Sequence, residues 1–205
     1  MDCKAHWERL YTTKQPAEVS WYQPQPARSL ELLRQVGAGP ETAIIDVGGG
    51  DSTLVDAVVA EHLGRLTVLD VSAVALGRAR ERLAARNDEV TWMEADITRV
   101  ELPAEAFDIW HDRAVFHFLV HPDDRMRYVT TAKAALRPGG TLLLATFAPA
   151  GPARCSGLEV ARYSAGELAR ELGEAFLLTR SFMDVHHTPA GIEQPFTYTV
   201  FRYLA

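Results

Sequence analysis

Three consecutive glycines after a short apolar run constrain the fold of this chain more than any other feature. The segment reads Ile44-Ile45-Asp46-Val47-Gly48-Gly49-Gly50-Asp51-Ser52, and an amphipathic run over residues 54–59 follows it. This pattern predicts a buried strand, a tight turn and the beginning of a helix. Glycine has no Cβ, so the turn can adopt backbone angles that other residues avoid. Such a unit at the start of an α/β domain is typical of a nucleotide-type cofactor site.

A second apolar run also ends in an acid. Residues 66–69 lead into Asp70, which is followed by Val71, Ser72 and a helical pattern. An acid at the end of the second strand, about twenty residues after a glycine turn, is placed to accept hydrogen bonds from ribose hydroxyls. The alternative is that Asp70 caps the following helix.

The spacing of the glycines separates two cofactor families. A dinucleotide fingerprint requires a third glycine where this chain has Thr53, whereas Asp46, Gly48 and Gly50 meet the pattern acid-x-Gly-x-Gly. With these residues the sequence resembles the class I S-adenosylmethionine-dependent methyltransferases. The Gly-x-Ser ending at Ser52 is similar to the subset that includes the elongation-factor and citrate-synthase lysine methyltransferases. The resemblance implies that the glycine turn passes beside the methionine part of S-adenosylmethionine.

A third strand, predicted over residues 90–95, runs into Asp96 and Ile97. In the similar family an acid at this position often holds the exocyclic amine of adenine, and the backbone of the next residue contacts the ring. The resemblance therefore implies a set of cofactor-binding residues. They are Asp46, Gly48, Gly49, Gly50, Ser52, Asp70, Val71, Ser72, Asp96, Ile97 and His111.

Strand and helix patterns alternate from residue 43 to residue 147, which predicts an α/β fold. Residues 137–140 predict a turn before the fifth strand, and residues 176–182 and 196–201 predict two late strands joined by a polar loop. The resemblance implies a Rossmann-like, doubly wound seven-stranded sheet, mostly parallel with an antiparallel last strand. We expect a single domain over residues 1–205, with an amino-terminal helical lid (1–36), a cofactor-binding core (43–147) and a substrate-side part (148–205).

Aromatic residues are concentrated before the glycine turn, as in the similar thiopurine methyltransferase. Trp7 and Tyr11 lie four residues apart and predict a helix face that packs on the core. Trp21 and Tyr22 lie in a loop bounded by prolines and are predicted to form a lid over the cofactor. A sulfonium cation gains cation–π attraction from such rings.

The fourth strand, predicted over residues 107–111, delivers the catalytic candidates. Asp112 is predicted to orient an attacking amine, and His111 or His117 is predicted to remove its proton. Two alternatives are that His111 pairs with Asp112, or that Arg113 neutralises Asp112. In the similar lysine methyltransferases the segment reads Asp-Lys-Gly, whereas this chain has Asp112-Arg113-Ala114.

Four residues are predicted to contact the substrate: Arg113, Cys155, His186 and His187. Loops at the edge of a sheet set specificity, and His186 and His187 belong to a polar loop over residues 184–189. Adjacent strand residues point to opposite faces, so these two histidines are not predicted to share a metal ion. No metal site is predicted.

Composition limits the partners. The chain has 205 residues, is 47% hydrophobic and carries a formal net charge of −6. An acidic chain without a basic run lacks the concentrated positive face that nucleic acids require. Only Cys3 and Cys155 are present, so no disulfide framework is expected. Without a long apolar run or a leader, we expect a soluble, cytoplasmic protein that does not bind membranes. The sequence leaves the oligomeric state open.

The sequence thus predicts an S-adenosylmethionine-dependent methyltransferase whose acceptor is a small molecule. A protein lysine N-methyltransferase is the main alternative, since the similar subset modifies lysine. A catalytically silent cofactor-binding protein and a nucleotide-dependent oxidoreductase also fit parts of the pattern. Thr53 and Asp96 speak against the oxidoreductase.

Overall fold

The computed structural model describes residues 3–205, which form a seven-stranded sheet with helices on both faces and a separate two-stranded hairpin. The strands are β1 (Ala43–Val47), β2 (Arg65–Asp70), β3 (Val90–Glu94), β4 (Phe107–Arg113), β5 (Leu136–Phe147), β6 (Arg154–Cys155), β7 (Leu158–Glu159), β8 (Phe176–His187) and β9 (Glu193–Tyr203). The helices are α1 (Cys3–Thr13), α2 (Ala27–Gln35), α3 (Leu54–Ala60), α4 (Ala73–Leu83), α5 (Pro122–Ala135) and α6 (Ala165–Leu172). Short 3-10 helices cover Pro16–Glu18, Ala84–Glu89 and Phe116–Phe118. The first two residues of the predicted lid lie outside the described residues.

The order of the strands places β1 and β4 side by side near the middle of the main sheet. The order is β3-β2-β1-β4-β5-β9-β8, and β1 pairs in parallel with both β2 and β4. The chain therefore extends the sheet first towards β3 and then, from β1, in the opposite direction. Such a reversal leaves a crevice beyond the carboxyl ends of the strands, and ligands bind there.

Burial explains why the central strands are apolar. All five residues of β1 are buried. On one face Ile44 belongs to a cluster with Leu33 of α2 and Val58 of α3, and on the other face Ile45 belongs to a cluster with Tyr128 of α5. Because neighbouring strand residues point to opposite faces, Ile44 and Ile45 stabilise separate cores. Within residues 3–205, no helix is long and apolar enough to cross a membrane.

The carboxyl-terminal strands confirm the predicted antiparallel last strand. β9 lies between β5 and β8 and pairs antiparallel with both. β8 consequently runs in the same direction as β1 to β5. The predicted α/β class, with a mostly parallel sheet, is also confirmed.

Some segments differ from their sequence-based prediction. The predicted turn over residues 137–140 is part of β5, which begins at Leu136. Gly139 has a φ of +75°, and the pairing of β4 with β5 shifts between Phe107 and Ile109. The glycines therefore make a bulge inside the strand, which composition does not separate from a turn. The predicted loop containing His186 and His187 is the end of β8, and no sequence pattern predicts the β6–β7 hairpin.

Asp112 is fully buried at the end of β4, where its carboxylate accepts three hydrogen bonds. The donors are the backbone N–H groups of Val115 at 2.8 Å and Phe116 at 3.1 Å, and the hydroxyl of Tyr128 at 2.7 Å. Tyr128 in turn accepts a hydrogen bond from Nε1 of Trp110 at 2.8 Å. Burial raises the pKa of Asp112 to about 6, and these donors oppose the rise. This network ties β4 to α5.

The position of Asp112 does not fit its predicted catalytic role. The carboxylate lies on the α5 side of the sheet, where three donors within the fold hold it. The two alternative pairings are not observed either. Among the described residues, Asp112 forms no hydrogen bond or ion pair with His111 or Arg113.

The change Tyr128→Phe should destabilise the protein in a pH-dependent way. It removes one of the three donors to the Asp112 carboxylate and leaves the Trp110 N–H without a partner, which costs about 1–3 kcal/mol of the free energy of unfolding. The folded pKa of Asp112, about 6, exceeds the ordinary value of 3.8, so ionisation of this group lowers stability as pH rises through that range. The ionised form needs the donor most, so we expect a larger loss at about pH 8 than at about pH 5.

Urea denaturation at both pH values measures this loss. Tyr203→Phe is the matched control, because that ring packs on Phe176 at the sheet edge, with ring centroids 5.2 Å apart. A Tyr128→Phe protein as stable as the control at both pH values would contradict the structural role of Asp112.

Candidate cofactor and active site

Two adjoining clefts open at the carboxyl ends of β1 and β4. The first is bordered by the glycine turn, α2 and the loop between α1 and α2, and the second runs along the ends of β2 and β3. Some residues border both clefts: Tyr11, Trp21, Val47, Gly48 and Arg113. The position of the crevice is the one that the strand order indicates.

The turn after β1 depends on its glycines. Gly48 and Gly50 have φ angles of +68° and +44°, in a region that residues with a Cβ rarely adopt. A Cβ on Gly48 would lie 2.0 Å from Cγ2 of Val115, and a Cβ on Gly49 would lie 2.5 Å from Oδ2 of Asp46. The absence of side chains leaves the backbone of the turn open to the first cleft, where a ligand can approach it closely.

A buried chain of hydrogen bonds joins β1, β4 and α2 beside the first cleft. Nδ1 of His111 lies 2.7 Å from Oδ1 of Asp46, and its Nε2 lies 2.9 Å from Oγ of Ser29. The connectivity is that of a Ser-His-Asp nucleophilic triad. Ser29 is only 2% exposed, however, so its hydroxyl serves as a polar link rather than an accessible nucleophile. Both ring nitrogens of His111 are engaged, which does not fit its predicted role in removing a proton.

Asp70 is a buried acid at the end of β2 that faces the second cleft. Its Oδ1 accepts a hydrogen bond from the N–H of Ser72 at 2.8 Å. Burial raises the pKa of Asp70 to about 7, the Ser72 N–H opposes the rise, and the charges of Asp46 and Glu8 add to it. Donors from a ligand would stabilise the ionised form of this carboxylate. Two hydroxyls of a ribose are donors of that kind.

Asp96 and Ile97 border the second cleft, as does Val71. Asp96 also accepts a hydrogen bond from the backbone N–H of Thr98 at 2.9 Å. Ser72 has a different position from the one predicted. It is fully buried and caps α4, because its hydroxyl accepts a hydrogen bond from the N–H of Ala75 at 3.1 Å.

The structure brings most of the predicted cofactor residues to the clefts. Gly50 lies behind the turn, where a Cβ would be 2.8 Å from Oδ2 of Asp70. Ser52 borders the first cleft, and its hydroxyl accepts a hydrogen bond from the N–H of Leu54. The predicted residues that border a cleft are Asp46, Gly48, Gly49, Ser52, Asp70, Val71, Asp96, Ile97, His111, Trp21 and Tyr22.

The aromatic residues before the glycine turn form one side of both clefts. Trp21 borders both, and Tyr22 borders the first. Trp7 makes edge-on contacts with Phe118 and Trp21, at ring-centroid distances of 5.1 and 5.7 Å, in keeping with its predicted packing. It also borders the second cleft.

Sequence reasoning missed Glu8, Tyr11 and Ser29. The Glu8 carboxylate accepts hydrogen bonds from the N–H groups of Ala73 at 2.7 Å and Val74 at 3.3 Å, at the start of α4. Tyr11 is buried between the clefts, and burial together with the charge of Asp70 raises its pKa. The spacing from Trp7 indicated a packed face for Tyr11, but no spacing indicated its contact with the clefts. Glu8 and Ser29 belong to no motif.

Arg113 and Cys155, two predicted substrate residues, both border the second cleft. Burial raises the pKa of the Cys155 thiol, although the nearby charge of Arg113 opposes this. His117 is fully buried and lies against Phe147 and Phe118. Burial, with a smaller effect of Arg113, lowers the pKa of His117 to about 3. A group with this pKa does not fit the predicted role of a general base at neutral pH.

His186 and His187 occupy opposite faces of β8, and neither borders the two clefts. His186 is buried, and its Nε2 lies 2.6 Å from the carbonyl oxygen of Ser20. This contact holds the loop between α1 and α2 against β8. His187 is exposed, with its Nε2 3.4 Å from a carboxylate oxygen of Glu193. The alternation of side chains along the strand explains the difference.

Comparisons with known proteins relate the chain to methyltransferases. A family described as a methyltransferase domain matches residues 44–140. A malonyl-[acyl-carrier protein] O-methyltransferase of Paenibacillus sp. (strain JDR-2) is 27% identical over 128 residues, which cover 60% of this chain and 45% of that protein. An eEF1A lysine and N-terminal methyltransferase of Mus musculus is 20% identical over 153 residues, which cover 71% of this chain and 21% of that protein. The chain therefore spans less than half the length of these curated relatives.

A solved structure shares the fold. The 1,6-didemethyltoxoflavin-N1-methyltransferase of Burkholderia thailandensis, with bound 1,6-didemethyltoxoflavin and S-adenosylhomocysteine, superposes with a TM-score of 0.70 at 19% identity. The match covers 98% of this chain and 84% of that one. The family match, the glycine turn and the acids at the strand ends agree with this fold. Residues 44–140 thus match a methyltransferase domain, and the chain has the fold of a solved methyltransferase that holds S-adenosylhomocysteine.

Proposed function

We propose that this protein transfers the methyl group of S-adenosylmethionine to a small-molecule acceptor. The observation that carries the proposal is the junction of the two clefts at Gly48. One cleft offers the open backbone of the glycine turn and the other offers Asp70 and Asp96; Arg113 borders both clefts and Cys155 borders the second. When bound, the cofactor supplies a methyl group that its sulfonium has already activated.

The assignment of cofactor contacts rests on chemistry and position. Asp70 accepts hydrogen bonds from ribose hydroxyls, because its carboxylate is buried and short of donors. Asp96 and Ile97 border the same cleft further along the sheet and hold the adenine. Gly48 and Gly49 leave room for the methionine part. Trp21 and Tyr22 cover the site and keep water from the reacting groups.

The acceptor class follows from what the candidate bases can do. A lysine amine arrives protonated at neutral pH, so its methylation requires a group that removes a proton. Asp112 is engaged on the far side of the sheet, His111 has both nitrogens hydrogen-bonded, and His117 has a pKa of about 3. These positions favour an acceptor that needs no deprotonation by the protein. A small-molecule thiolate or carboxylate meets this condition.

The alternative is a protein lysine N-methyltransferase. It is supported by the mouse relative, which is named an eEF1A lysine and N-terminal methyltransferase. The environment of the three candidate bases speaks against it. A catalytically silent cofactor-binding protein is the remaining alternative, because the contacts proposed for the cofactor do not require turnover.

Methyl transfer from labelled S-adenosylmethionine separates these possibilities. The purified protein is incubated with the labelled cofactor and a cell extract, and the products are divided into small-molecule and protein fractions. We expect label in the small-molecule fraction. Label found mainly on protein lysines would contradict the acceptor class, and tight cofactor binding without any transfer would favour the silent protein.

The change Gly48→Ala should weaken cofactor binding. The new Cβ would lie 2.0 Å from Val115 and must adopt a φ of +68°, a strain of about 1–3 kcal/mol. We expect the affinity for S-adenosylhomocysteine to fall about tenfold or more, measured by titration calorimetry. Gly77→Ala is the matched control, because its Cβ meets open space on α4 and helix propensity favours alanine. Equal affinities of the two variants would contradict the assignment of the turn.

Asp70 should make nucleoside binding pH-dependent. Its pKa of about 7 leaves it protonated at lower pH, and only the ionised carboxylate accepts both ribose hydroxyl hydrogens. Affinity should therefore rise about tenfold between about pH 6 and pH 8. The probe is 5′-methylthioadenosine, which has the ribose but no titrating amino-acid part. In Asp70→Asn the dependence should disappear, and an unchanged dependence would show that another group titrates.

A further inference from the structure

Arg113 lies at the end of β4, between the two clefts, and the fold does little to balance its charge. Its Nε lies 3.3 Å from the hydroxyl of Tyr198, and its Nη1 lies 3.4 Å from the carbonyl oxygen of Trp21. Both distances exceed the usual range of about 2.7–3.2 Å. The guanidinium carbon lies 4.8 Å from the ring centre of Phe196. Nη2 is buried and forms no hydrogen bond with any atom of residues 3–205.

The other partly buried arginines of the described chain differ from Arg113. Each of them lies within salt-bridge distance of a carboxylate: Arg28, Arg78, Arg86, Arg125 and Arg137. Burying a cation costs free energy unless an anion or good acceptors compensate it. Within residues 3–205, Arg113 is the partly buried arginine for which the fold provides no such anion.

The titratable groups whose pKa values the charge of Arg113 shifts carry no negative charge near neutral pH. They are His117, His186 of β8 and Cys155 of β6. Burial lowers the pKa of both histidines, and the charge of Arg113 lowers it further. Burial raises the pKa of the Cys155 thiol, so the thiol remains protonated. Arg113 itself contacts the Tyr198 hydroxyl, the Trp21 carbonyl oxygen and the ring of Phe196.

We infer that the methyl acceptor carries a carboxylate, which Arg113 binds. The planar guanidinium matches a carboxylate with two parallel hydrogen bonds, and Nη2 is one of the donors available for them. The rings of Trp21 and Phe196 lower the local dielectric and so strengthen the ion pair. The inference rests on the proposed function, because it names the acceptor class of the same site. Its competitor is a structural role in which Arg113 only holds the Trp21 carbonyl.

Pairs of acids and amides distinguish the two roles. The probes are phenylacetate, 3-phenylpropionate and hexanoate, each compared with its primary amide. Binding is measured by calorimetry on protein saturated with S-adenosylhomocysteine. In the wild-type protein at least one carboxylate should bind about tenfold more tightly than its amide. In Arg113→Gln this preference should fall below about threefold. Arg113→Lys keeps the charge but loses the planar guanidinium that makes two parallel hydrogen bonds, so its preference should be intermediate.

Arg154→Gln is the matched control. Arg154 is exposed on β6 beside Cys155, so the variant loses the same charge and should keep the full preference. A wild-type protein that prefers none of the carboxylates would overturn the inference, as would an unchanged preference in Arg113→Gln. If Arg113→Gln fails to fold, Arg113→Lys decides, because an unchanged preference in that variant would also overturn the inference. Failure of S-adenosylhomocysteine to bind contradicts the proposed function itself, whereas its binding without a carboxylate preference contradicts only the role of Arg113.

Discussion

Buried carboxylates at the ends of neighbouring strands determine how this site is built. Asp46, Asp70 and Asp112 are all buried, and a buried acid remains ionised only where donors face it. Asp46 is hydrogen-bonded to His111, and Asp112 to Tyr128 and two backbone N–H groups. Asp70 accepts a hydrogen bond from Ser72, against three for Asp112, and burial raises the pKa of Asp70 to about 7. Asp112, with three donors, ties β4 to α5, whereas Asp70 faces the second cleft.

Much of the fold could be predicted from the sequence because its signals are local. The apolar run, the glycine turn and the acids after successive strands each occupy a few residues, and parallel pairing brings them to one edge of the sheet. The catalytic candidates could not be ranked in this way. His111 and Asp112 are adjacent on β4, so one points to the clefts and the other to the α5 core. Which residue takes which face depends on strand register and on helices far away in the sequence.

The proposed acceptor side of the site, around Arg113, combines aromatic rings, one guanidinium and neutral histidines. Such surroundings do not favour acid–base catalysis, because burial lowers the pKa of His117 and keeps its ring uncharged at neutral pH. They are well suited to excluding water and to holding a ligand by its shape and charge. An activated methyl donor requires alignment more than acid–base assistance, and alignment is the contribution that rigid, packed rings can make. Rigid packing of the rings therefore serves both the stability of the fold and the alignment that methyl transfer would require.

The segment over residues 3–22, which borders both clefts, is attached near its two ends by contacts of unlike chemistry. At one end the Glu8 carboxylate meets the positive end of α4 at Ala73, and at the other end His186 and Arg113 contact the carbonyl oxygens of Ser20 and Trp21. Dissolved ions screen interactions between exposed charges and helix dipoles far more than buried hydrogen bonds to carbonyl groups. Ionic strength therefore acts mainly on the α1 end of the segment. Salt would loosen the side of the site above the end of β2 while the side next to β4 stays in place.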